Sequence, residues 1–98
     1  MNPFFDEQGK RWVEAARRRG ATIEAPVLDS RVALELLELA RAAAHTQERR
    51  FAPLSCYLAG VAAERLRTAQ PEASDAQVAA YIEEVRKELE ADSPPADA

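Results

Sequence analysis

VALELLELARAAAHTQERRFAPLSCYLAGVAAERLRTA, residues 32–69, sets two apolar runs of helical period on either side of a short polar corner. In the first run Val32, Leu36, Leu39 and Ala43 line one face, and Ala33, Leu37, Ala40 and Ala44 line the adjacent one. Steps of three and four residues suit a helix rather than the alternation of a strand. An apolar arc of that width predicts a central helix with neighbours on two sides. Asp29 or Ser30 is its expected cap, and Arg31 and Glu35 are expected to form a solvated ion pair on its outer face. The second run is expected to start at Pro53, whose fixed backbone angle suits a first turn, and to stop at Gln70-Pro71. Leu54, Tyr57, Leu58, Val61 and Leu66 would supply its bulk. Beside them Ala52, Cys56, Gly60 and Ala63 form a stripe of small residues, which lets another helix approach closely.

Two further helices complete the pattern. Asn2-Pro3 has the form of a cap followed by proline at the first helical position, with Phe5, Trp12, Val13 and Ala16 at helical spacing behind it. Gly9 interrupts that face. Arg17-Arg18-Arg19-Gly20 reads as a helix end, since cations favour the negative end of the helix dipole and glycine takes the left-handed turn. The connector ATIEAPVL, residues 21–28, offers Ile23, Val27 and Leu28 for burial. Ser74-Asp75-Ala76-Gln77 matches a capping box and starts the last helix, whose Val78, Ile82, Val85 and Leu89 share a face. Glu83, Glu84, Lys87, Glu88 and Glu90 fall on its solvated side. The expectation is an all-α, four-helix, bundle-like single domain over residues 1–91, followed by a disordered acidic tail over 92–98.

Composition narrows the function classes. The 98 residues carry a net charge of −4, unevenly spread. Residues 1–20 hold five basic and three acidic groups, residues 21–70 six of each, and residues 71–98 two basic and eight acidic. Binding of nucleic acid by the whole surface is disfavoured, because phosphate contacts need clustered cations. Arg17, Arg18 and Arg19 leave a local basic patch as one regulatory or nucleic-acid-binding alternative. No long apolar run suggests a membrane span, the start MNPFFDEQGK does not resemble a signal peptide, and one cysteine forms no internal disulfide. A cytoplasmic location is the expectation.

Catalysis needs grouped reactive side chains. With one His and one Cys, no zinc-ligand spacing occurs, and neither a metal nor a cofactor is expected. His45 and Cys56 flank the same corner and would be the only nucleophile pair, but a cysteine on a small-residue stripe is ordinarily a buried, inert thiol. No catalytic residue is assigned. The corner itself gathers His45, Arg49, Arg50 and Ser55 near a helix start, the ingredients of an anion or partner site. The structural alternative is that Arg49 and Arg50 are solvated or pair with Glu48 or Glu64, while Phe51 pins the turn.

The run LLELARAAAHTQERRFAPLSCYLAGVAAERL, residues 36–66, resembles a family of short bacterial helical domains of unknown function. The shared pattern falls on Ala43, Ala44, His45, Glu48, Arg49, Ala52, Pro53, Leu54, Ser55, Tyr57, Leu58 and Gly60. Thr46 stands where the pattern has glycine, and Arg50 where it has proline. Members are found alone or appended to molybdenum cofactor guanylyltransferase domains. The resemblance implies a non-catalytic accessory module whose partner is a nucleotidyltransferase of molybdenum cofactor synthesis, bound through His45, Arg49, Arg50 and Ser55. The alternative is a homodimer or larger self-assembly, joined through Cys56, Gly60 and Ala63 or through Phe4, Phe5 and Trp12.

Overall fold

The structure is a computed structural model that describes residues 2–92, and every regular element among them is an α-helix. In order these are α1 Pro3–Arg18, α2 Ser30–Thr46, α3 Phe51–Ala69 and α4 Asp75–Asp92. The all-α class read from the sequence is therefore the observed one. Of the expected tail only Asp92 falls among the described residues, as the last residue of α4. Contacts gather the chain into two compact units, one up to Ser30 and one from Arg31 onward.

The first unit is a capped helix with its connector. The Asn2 side-chain oxygen accepts from the Phe4 amide at 2.8 Å, and Pro3 occupies the first helical position. At the other end Gly20 has φ +81°, its amide donates to the Arg17 carbonyl, and the Ala21 amide reaches back to the Ala16 carbonyl. This is the Schellman closure, and it needs the left-handed backbone that glycine adopts without a Cβ penalty. Gly9 is buried because the connector crosses there: a Cβ at that position would lie 2.8 Å from the Pro26 carbonyl oxygen. Phe4, Phe5 and Trp12 stay exposed, with the two phenyl rings edge to face.

In the second unit α2, α3 and α4 surround one small core. Leu39, Ala63, Val78 and Ile82 form its centre, with Val32, Leu36 and Ala59 packed against it and Val78 fully buried. The inner face of α2 is the expected one through Leu39 and Ala43, but Leu37 on the adjacent face is 69% exposed. The larger departure is in α3. Its inward side includes the small residues Ala59 and Ala63 with Cys56 beside them, whereas of the expected bulk Leu54, Tyr57 and Leu58 are exposed and only Val61 and Leu66 are half-buried. Small residues bring helix axes closer, and Val78 and Ile82 then fill the space that bulk on α3 would have taken.

Two other expectations are corrected. α3 starts at Phe51, not Pro53. The proline is the third helical residue, where the first turn has no intrahelical acceptor for its missing N–H. Glu35 is not on a solvated face. It meets Arg86 of α4 at 3.3 Å, both side chains 14% exposed, and Arg86 also pairs with Glu83 and Glu90. Burial works against the Arg86 charge, but attraction to Glu35 and the bond to Glu90 outweigh it and hold the guanidinium protonated. The start of α4 is as expected: the Ser74 amide donates to Gln77 Oε1 at 2.7 Å and the Gln77 amide to Ser74 Oγ at 3.2 Å. Arg67 bridges Glu64 and Asp75, tying the end of α3 to the first residue of α4.

Two substitutions test this packing. Gly9→Ala gains up to about 1 kcal/mol of helix propensity, but its methyl must displace backbone at Pro26. We expect a net loss of about 1–2 kcal/mol, seen as faster proteolysis of residues 21–28 and a shift in Trp12 emission. Ile82→Ala is expected to cost roughly 2–4 kcal/mol in denaturant unfolding, against about 0.5 kcal/mol for Val85→Ala three residues on. Equal costs would mean that the core boundary on α4 is misplaced.

Candidate functional site

The corner between α2 and α3 is a tight turn whose donors are already used. α2 ends at Thr46, and the Gln47 amide still donates to the Ala43 carbonyl. The Phe51 amide then donates to the Glu48 carbonyl at 3.0 Å and the Ala52 amide to the Arg49 carbonyl at 3.1 Å. Pro53 has no amide hydrogen to offer. The opening amides of α3 therefore do not face outward as an anion cradle. Arg50 is exposed and pairs with Glu48 at 2.8 Å, Arg49 is exposed, and His45 is exposed in the last turn of α2.

Ser55 faces elsewhere. It lines a pocket of about 200 Å³ with Phe51, Ala43, Thr46, Leu89 and Asp92, and none of His45, Arg49 or Arg50 borders it. Phe51, 38% exposed, lines that pocket between α2 and the end of α4. Asp92 is the one acidic residue among those that line it. The four corner residues thus do not converge on one cavity.

The small-residue stripe splits in a similar way. Ala63 is in the core, and the Cys56 thiol donates to the Leu36 carbonyl at 3.6 Å, so both serve packing between helices of the second unit. Gly60 lies outside, with open space where a Cβ would stand. Burial raises the Cys56 pKa above its ordinary 9.0, so the thiol stays protonated at neutral pH, contrary to what a nucleophile requires. Among the described residues no group of three His, Cys, Asp or Glu side chains is placed to hold a metal ion. No helix among them is long and apolar enough to cross a membrane. In the arginine triplet Arg17 pairs with Glu14 at 2.7 Å and Arg19 donates to the Ala15 carbonyl, so two of the three cations are engaged on their own helix.

The feature that does converge is a groove between α3 and α4. It encloses about 350 Å³ and is walled by Leu58, Ala59 and Ala62 of α3 and by Tyr81, Ile82, Val85 and Leu89 of α4, with Leu39 of α2 beneath. Ser55 is its one hydroxyl-bearing neighbour on α3, and it joins the groove to the pocket at Phe51. Leu58 is 67% exposed at the rim, and Leu54 and Tyr57 extend the apolar surface along α3. Large apolar side chains grouped on a surface mark an interaction site more often than scattered ones do.

A family model matches residues 6–97, nearly the whole chain, under the description Domain of unknown function (DUF6457). The chain belongs to the DUF6457 family. No curated protein and no solved structure matches it significantly. The groove of this DUF6457 member was not singled out from sequence, because Val85 and Leu89 continue the spacing of Val78 and Ile82 and read as core. A signal was present: α3 carries apolar residues around most of its circumference, more than one small core can cover.

The thiol provides a check on the arrangement. Cys56 is expected to react with iodoacetamide at neutral pH at least roughly tenfold more slowly than in the unfolded chain. The folded state keeps the proton where the unfolded chain, near 9.0, loses it. Folded protein then binds more protons, so this contribution to stability falls as pH rises through and above 9.0. Urea unfolding of the native chain against Cys56→Ala at neutral and alkaline pH reads that difference.

Proposed function

We propose that this DUF6457 chain is a non-catalytic accessory module that recruits a partner protein through the groove between α3 and α4. The observation that carries the reading is the groove itself, an apolar cleft of about 350 Å³ whose rim residues Leu58 and Val85 are exposed although the core beside them is filled. Such an apolar cleft between two helices suits a helix laid into it by its apolar face. The protonated Cys56 thiol and the exposed His45 favour binding over catalysis. The partner that the sequence resemblance names is a nucleotidyltransferase of molybdenum cofactor synthesis, acting in the cytoplasm. The residues 36–66 that carry the resemblance include Ser55, Leu58 and Ala59 of the groove as well as the corner.

Calorimetry with a purified molybdenum cofactor guanylyltransferase from the same cells tests this reading. Val85→Asp or Leu58→Asp, both at exposed positions, should leave the melting midpoint within a few degrees and weaken binding at least roughly tenfold. Arg49→Ala with Arg50→Ala should leave binding unchanged. Loss of binding in the arginine variant alone would move the site to the corner, and a transferase that does not bind the native chain would remove that partner.

A further inference from the structure

The groove has a charged border on one side only. Tyr81, Val85 and Leu89 recur every four residues and line it along α4. Glu84, Glu88 and Asp92 recur at the same interval on the neighbouring strip, and Asp92 lines the adjoining pocket, which shares Ser55 and Leu89 with the groove. At 1.5 Å per residue this acidic row runs for about 12 Å, more than two turns, beside the apolar wall. None of its three carboxylates makes an ion pair among the described residues, and all three are exposed. The opposite flank of α4 differs: Glu83 and Glu90 are held by Arg86, which also binds Glu35, and Lys87 adds a contact to Glu83. Across the groove the α3 rim is apolar through Leu54, Leu58 and Val61, and its one cation, Arg65, stands at the Tyr81 end.

We infer that the occupant of the groove is a basic amphipathic helix of another protein, its apolar face between Leu58 and Val85 and its lysines or arginines along Glu84, Glu88 and Asp92. The inference rests on the docking reading above and adds the partner's chemistry to it. An uncompensated row of carboxylates beside an apolar wall attracts cations and rejects acidic helices, because like charges across a desolvated rim are costly. It also disfavours a second copy packed groove to groove, which would bring two such rows into one interface with only Arg65 from each copy to offset them. Arg65 gives the site a direction, since cations are favoured beside Asp92 and Glu88 and not beside Tyr81.

The test uses the full chain and three labelled peptides of about 18 residues, long enough to lie along two helices of this size. All share leucines at i, i+3, i+4 and i+7 and differ only in having lysine, glutamine or glutamate elsewhere. Fluorescence anisotropy should rank lysine at least roughly tenfold tighter than glutamine and glutamate weakest, with the spread shrinking as salt is raised. Glu84→Lys with Glu88→Lys should reverse the ranking, and Val85→Asp should abolish all binding. Equal affinities that Val85→Asp removes would overturn the charge inference and leave the docking reading standing. No binding that depends on Val85 would overturn both. A chain that sediments as a dimer and excludes the peptides until Val85→Asp separates it would assign the groove to a second copy and overturn the inference.

Discussion

The second unit depends on how closely α3 lies against its neighbours. The face it turns inward is made of Cys56, Ala59 and Ala63, so the space left for side chains is small, and Leu39, Val78 and Ile82 fill it. Leu54, Tyr57 and Leu58 stay outside this core, each more than half exposed. Close packing on the small side of α3 and an apolar outer side are therefore two consequences of one sequence pattern, since a helix that is apolar around most of its circumference must leave some of that surface uncovered. The groove between α3 and α4 is where the uncovered surface becomes concave.

The helices themselves were legible because their ends are local. Asn2-Pro3, Arg17 to Gly20 and Ser74 to Gln77 act through hydrogen bonds within a few residues, and the structure makes those bonds where the residue types call for them. The orientation of α3 was legible only in part: the small-residue stripe marked a face for close approach, and Cys56 and Ala63 do pack inward, but which of two apolar faces packs better is a tertiary property. Hydrophobicity alone favours burying Leu54 and Leu58. The close approach allowed by alanine, together with a thiol that finds the Leu36 carbonyl, turns the other face inward. Glu35 was misplaced for a related reason. A one-turn partner in sequence, Arg31, is visible from spacing, whereas Arg86 lies 51 residues away and meets Glu35 only once α2 and α4 are packed.

The candidate site shows the same division. Residues that resemble a motif need not act as one. His45, Arg49, Arg50 and Ser55 are neighbours along the chain, yet the turn directs Ser55 toward Leu89 and Asp92, and Arg50 is paired with the nearby Glu48. Two amides that an anion would have used bind the carbonyls of Glu48 and Arg49, because a short corner is held together by such bonds and would open without them. The corner's polar residues are thus explained by the turn, beside which Phe51 lines a pocket with residues of α2 and α4.

Charge gains meaning when it is assigned to faces. The C-terminal part of the chain is acidic in sequence, which describes a whole segment and no surface in particular. In the fold, α4 divides its carboxylates: Glu83 and Glu90 pair with an arginine that sits against α2, while Glu84, Glu88 and Asp92 are exposed beside the strip that lines an apolar cleft. The first set has a structural task, since Arg86 is largely covered and an uncompensated cation there would oppose packing. The second set makes no ion pair among the described residues. These three carboxylates lie next to the strip of α4 that lines the groove, so the charge of the segment and its apolar wall share one side of the helix.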